Sequence, residues 1–219
     1  MTGGVGDSRS TLTPLRPGEL SPGTNVLVAG PGLTGKRDVL LELLGAAPDP
    51  ETVLVTTKHQ PDVLREQFHT RHGKEWGLTF VDCISRQRSM AATRDTDEVT
   101  HVSGPGDLTG IGIAASGHLY EWYRADERIR GSLGIHSLST LLMYADLRRV
   151  YQFMHVVSGR VNGADCIGVY TLDTVASNPE PAERFTQLCD AVVETRQGEN
   201  GPELRVRGGD FGPRSWTEW

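Results

Sequence analysis

The chain has 219 residues, with 26 Gly, 12 Pro, 37% hydrophobic and 23% charged residues, the composition of one globular domain long enough to bury a sizeable core. Twenty-two Lys and Arg against 28 Asp and Glu leave a formal charge of −6, which excludes a protein that coats nucleic acid by charge alone and argues against nucleic acid as a partner. No stretch approaches about 18 apolar residues and the first residues lack an apolar signal region, so no membrane association is expected; three scattered cysteines, Cys83, Cys166 and Cys189, have no metal-ligand spacing and fit free thiols in a reducing cytoplasm.

Residues 1–14, rich in Gly, Ser and Thr, read as a flexible tail, and residues 15–219 as a single domain. Residues 25–29 are a short apolar run leading into Gly30-Pro31-Gly32, and residues 38–44 then take helical spacing until Gly45 and Pro48: strand, glycine loop, helix. A strand over 52–56, a helix over 61–71 with Val63, Leu64, Gln67 and Phe68 on one face, and a strand over 78–81 continue the alternation, which predicts a parallel sheet. Residues 85–106 lose the pattern and read as a mobile loop or poorly ordered insertion, with room for a short strand over 99–102. A helix from 108 to about 124, capped by Asp107 or Thr109, a strand over 132–135, and a helix over 146–158 carrying Val150, Phe153, Met154 and Val157 follow. Next come a buried strand over 166–172, a helix over 181–189, and a hairpin of 191–196 with 203–207. Residues 211–219 bring two Trp onto the body. The expected fold is therefore α/β, a mostly parallel central sheet flanked by helices with a C-terminal antiparallel hairpin.

Gly30-Pro31-Gly32-Leu33-Thr34-Gly35-Lys36 satisfies the G-x-x-x-x-G-K part of a Walker A loop, or P-loop. With 26 Gly and 3 Lys in 219 residues, the match is expected by chance about 0.04 times in such a chain. A strand feeding a glycine loop that opens a helix puts backbone N–H groups and the positive helix end around a phosphate, with Lys36 reaching the β/γ oxygens. The alternative is a glycine-rich turn with a solvated Lys. The eighth position, where Ser or Thr would ligate Mg²⁺, is Arg37, whose guanidinium has no lone pair for a metal. Gly30, Gly32, Leu33, Thr34, Gly35, Lys36 and Arg37 are the candidate nucleotide-binding residues; ATP is the candidate ligand, and Mg²⁺ is doubtful.

Residues 19–30 followed by this loop resemble the start of a RecA/KaiC-superfamily ATPase domain, and the resemblance covers nearly the whole chain after the tail. Residues 53–61 resemble the second strand of KaiC-like domains, where glutamates that polarise the attacking water follow the strand; here those positions hold Lys58 and His59. Residues 132–142 resemble the Walker B strand and its following segment, in which a strand-terminal Asp positions Mg²⁺; that position is His136. With residues 107–113 and 170–173, these segments look closest to RecA-superfamily proteins of halophilic archaea of ATPase-like or unknown function. The resemblance implies a RecA-type core and signalling or regulatory work, and it supplies neither substrate nor partner.

Among the remaining candidates, His136 is either a proton shuttle or a space-filling, hydrogen-bonded imidazole at a strand end. Asp173, ending the next strand, either enters the crevice at the carboxyl ends of the sheet or makes a turn. Arg148 and Arg149 read as interface fingers or as a solvent-facing pair, and the 86–94 arginine cluster lacks the aromatics of a base-stacking platform. Departures at the metal ligand, the metal-orienting acid and the water-activating acid favour a nucleotide-binding or pseudo-ATPase interaction module, with self-association or a protein partner, over an active ATPase working in an oligomer or with a partner.

Overall fold

The computed structural model describes residues 13–88 and 94–219. Among them a nine-stranded sheet runs in the order β4-β3-β2-β5-β6-β1-β7-β8-β9. Its strands are β1 (Asn25–Gly30), β2 (Glu51–Thr56), β3 (Gly77–Asp82), β4 (Val99–His101), β5 (Ser132–His136), β6 (Ile167–Asp173), β7 (Ala191–Gln197), β8 (Pro202–Arg207) and β9 (Thr217–Glu218). β4 through β7 in that order are parallel, and β8 and β9 complete the sheet antiparallel. Every residue of β1 and β5 is buried, as parallel strands covered on both faces require.

Alternation along β1 serves two cores. Val26 and Val28 face one packed under α1 (Lys36–Leu44) and α2 (Pro61–His72), with Leu54 and Phe68. Leu27 and Ala29 face the other, with Ile135 and residues of α4 (Leu108–Arg124), α5 (Leu138–Tyr144), α6 (Leu147–Gly163) and α7 (Glu180–Thr186). Buried Tyr170 donates its phenol proton to Asn25 Oδ1 at 2.7 Å, tying β6 to β1, and Gly168 leaves the room for that ring.

The fold expected from the sequence is the one observed, with differences at element ends. Asp107 caps α4, accepting from the Gly110 N–H at 2.8 Å, and Asp146 caps α6 through Arg149 N–H at 2.9 Å. α6 runs five residues past 158, to Gly163, because Val161 continues its buried stripe. α7 stops at Thr186, three short of 189. The seven-residue α5 was not expected; Ser137 caps it through Thr140 N–H. In 85–106 a short helix, α3 (Ser85–Arg88), stands where a loop was expected, and the short strand allowed for over 99–102 is β4, paired to β3. The tail 1–14, except 13 and 14, and part of the 86–94 cluster lie outside the described residues. Among the described residues no helix is long and apolar enough to cross a membrane.

Gly117 in α4 and Gly159 in α6 are exposed, and a Cβ on either would meet nothing within 4 Å. Packing inside the chain therefore gives no reason for glycine, which weakens a helix relative to Ala by about 0.5–1 kcal/mol. Gly117→Ala and Gly159→Ala should each raise unfolding free energy by about that amount in urea denaturation with an unchanged m value.

Candidate functional site

The glycine loop leaves the C-terminal end of β1, in the middle of the sheet. A Cβ on Gly30 would overlap the Thr195 hydroxyl and carbonyl on β7, so only glycine lets the loop start this close to the neighbouring strand. Gly30 O also accepts from Thr174 N–H at 2.9 Å. Buried Thr34 donates to Pro31 O at 2.8 Å and meets Thr195 Oγ1 at 2.7 Å, which ties the inside of the loop to β7. Leu33 and Gly35 take left-handed backbone, with φ of 63° and 75°, and Leu33 projects fully into solvent at the apex. The first hydrogen bonds of α1 are given by Asp38 and Val39 to Gly35 O, so the N–H groups of Lys36 and Arg37 lie outside the helix ladder at its positive end.

Lys36 is only 7% exposed. Its ammonium donates to Pro31 O and forms an ion pair with Asp173 Oδ1 at 2.9 Å. Asp173 thus enters the crevice, its carboxylate 39% exposed and its N–H donated to Ser139 Oγ at 2.7 Å. Arg37 does not pair with Asp38, which Arg71 holds at 2.7 Å; its Nη1 lies 3.4 Å from His59 Nε2 instead.

His59 stacks on His136 with ring centroids 5.2 Å apart and planes 15° from parallel. His136 is 7% exposed, with Nδ1 at 3.0 Å from Thr171 Oγ1, whose own proton points to Ile135 O. That pattern assigns the Nδ1–H tautomer and leaves buried Nε2 as an acceptor without a partner. Burial, reinforced by His59, Arg37 and Lys58 and opposed by Asp173, pushes His136 down to about 3. It is neutral near pH 7. Thr57 accepts from Ser137 N–H at 2.8 Å and donates to His136 O, clamping the end of β5 to β2.

Of the residues singled out in the sequence, Lys36, Arg37, His59, His136 and Asp173 converge; Lys58 sits at the same end but in solvent. Lys36, Arg37 and Lys58 against Asp173 give the crevice a cationic balance suited to an anion. The donor set does not fit Mg²⁺, which demands oxygen ligands, because a guanidinium and an imidazole stand at the expected metal-ligand positions. Among the described residues no three His, Cys, Asp or Glu gather into a metal-binding group.

Sequence reasoning missed Thr171, Ser139 and Thr195, and it put Trp219 on the body without its place at the loop. Thr171 was legible, since it shares a strand face with Asp173. The place of Trp219 was not: β9 pairs with β8 and carries the Trp219 ring onto Gly35, where a Cβ would overlap it. Trp216 lies under the guanidinium groups of Arg196 and Arg205, 4.2 and 4.5 Å from the ring centroid. It lines a cavity of about 540 Å³ that opens beside Gly30 and Pro31. Gly35→Ala should cost about 1–3 kcal/mol, of which about 1 is the left-handed backbone and remains in a Trp219→Ala background. A thermal-melt double-mutant cycle reads both parts.

A family model matches residues 23–195, from the turn before β1 to the middle of β7, and so takes in the loop and the whole crevice. The chain belongs to the DUF7504 family, a family of unknown function. The DUF7504 match leaves out β8, β9 and the two C-terminal Trp. No curated protein matches the chain. Among solved structures, the uncharacterised protein PH0321 from Pyrococcus horikoshii, crystallised in complex with an unknown peptide, superposes with a TM-score of 0.62 at 14% identity, over 86% of this chain and 84% of that one. At that identity the likeness is one of fold. It extends to 524 solved chains, so the fold by itself selects no chemistry.

Proposed function

We propose that the chain is a RecA/KaiC-like P-loop domain that binds the phosphates of a nucleotide such as ATP on residues 30–37 and serves as a regulatory or signalling interaction module with little or no hydrolysis. The observation that carries the reading is the placement of Arg37. Its guanidinium turns into the crevice toward His59, which stacks on His136, so fixed positive charge stands where a hydrolase would hold its metal. That charge stabilises phosphate oxygens electrostatically without offering coordination. Lys36 supplies the second cation and the start of α1 the N–H donors. The cavity beside Gly30 and Pro31 has room for the rest of a nucleotide.

Hydrolysis needs a group that orients or deprotonates water. Lys58 is a cation in solvent, His59 is engaged by the His136 ring and the Arg37 guanidinium, and Asp173 is held by Lys36. The interaction-module part of the reading is supported by the Pyrococcus protein of like fold, which was crystallised with a peptide. Phosphate release from ATP by the full chain should stay about a hundredfold or more below 1 s⁻¹. Arg37→Thr with His136→Asp should introduce Mg²⁺ dependence of binding without turnover, since Lys58 and His59 remain. Turnover of about 1 s⁻¹ or faster that Lys36→Ala abolishes would replace this reading with an active ATPase.

A further inference from the structure

Away from the loop, α4 and α6 flank an open groove made of two cavities of about 400 and 710 Å³ that share Ile113, Ser116 and Arg160 in their linings. Ile113, Tyr120, Tyr123 and Val156 are exposed around it, although large apolar side chains gathered on a free surface normally mark a binding site. Gly117, Gly159 and Gly163 line the same face, and a Cβ on any of them would meet open space. The chain's own packing does not ask for these glycines. A closely approaching partner would.

The charged residues that line the groove are of one sign. Arg149 and Arg160 line it, and among the described residues no Asp or Glu lines either cavity. At the tyrosine end Arg124 donates to Tyr120 Oη at 3.0 Å and Arg128 lies 4.6 Å over Tyr123 and 3.2 Å from Asp165, while Glu121, outside the groove lining, lies 3.9 Å from His118. This cationic rim sits on a chain of formal charge −6. We propose that the α4/α6 groove docks an amphipathic helical segment of a protein partner, with large apolar residues at i, i+3 or i+4 and i+7 seated over the glycines and Asp or Glu on the flanks facing Arg149 and Arg160. A second copy packed two-fold on this face would set one cationic rim against another, and a lipid surface would not fill a concave, glycine-floored groove.

The test is selection of binders to the full chain from a displayed library of random 16-residue peptides. Selected peptides are expected to share the helical apolar spacing and a net negative charge. Their affinity should fall about tenfold or more with Gly159→Leu, which fills the groove, and with Arg149→Glu plus Arg160→Glu. All three positions are exposed, so circular dichroism melts should be unchanged or raised. Peptides without acidic enrichment, or binding indifferent to both variants, would overturn the proposal. So would a dimer in analytical ultracentrifugation that Gly159→Leu dissociates, or binding to phosphatidylserine vesicles that the same variants abolish.

Discussion

Lys36→Ala should weaken ATP binding by about a hundredfold or more, whereas Asp173→Asn should strengthen it by about five- to tenfold, both read by titration calorimetry. The opposite signs follow from one ion pair. Lys36 is buried, so its charge acts on a ligand through little water, and truncation also leaves Asp173 facing the phosphates without a counter-ion. In the wild-type chain the Asp173 carboxylate, 2.9 Å from the ammonium, competes with the ligand for Lys36. The amide keeps the size and a hydrogen-bond acceptor but removes the competing charge. A solvated Lys in a glycine-rich turn would predict small effects in both variants.

Stability should fall as pH drops below about 6.5, with His136 the main cause. The unfolded imidazole takes up its proton near the ordinary 6.5, while in the folded chain it resists protonation down to about 3. Between those values the unfolded state binds more protons, so acid favours unfolding, with a limiting slope of about 1.4 kcal/mol per pH unit for one group. Urea denaturation should show a loss of about 2 kcal/mol between pH 6.5 and 4.5, and His136→Gln should remove most of it. His118, which burial also shifts downward against the opposing charge of Glu121, adds in the same direction and stays in the variant. The difference between the two proteins therefore isolates the crevice. Bound phosphate should shrink the loss, because an anion beside His136 favours its protonated form.

How much of this was legible in the sequence depends on the range of the interaction. β1, the loop and α1 were readable because an apolar run, two glycines and a lysine within a dozen residues carry the whole pattern. The hairpin of β7 and β8 was readable for the same reason, but the parallel pairing of β7 with β1 was not, since Val26 meets Ala191 from far along the chain. α5 escaped because seven residues give too little periodicity, although Ser137 before a helix-compatible segment was an available cap signal. The predicted helix ends at 158, whereas α6 continues through Gly159 on the strength of Val157 and Val161. At the site, Lys36 and Arg37 were identified from the glycine-loop motif, His136 from the resemblance of its strand, and Asp173 from its place at a strand end. The turn of Arg37 toward His59, the stacking of His59 on His136 and the seating of Trp219 on Gly35 are tertiary, and no local spacing encodes them.

Calorimetric titration of the full chain with ATP, once in EDTA and once in Mg²⁺, tests the central claim most directly. If Arg37 and His136 replace the metal-binding groups that the resemblance implies, a single saturable site is expected in EDTA, with affinity within about threefold of that in Mg²⁺ and lost in Lys36→Ala. No heat in either buffer, or binding that appears only with Mg²⁺, would contradict it.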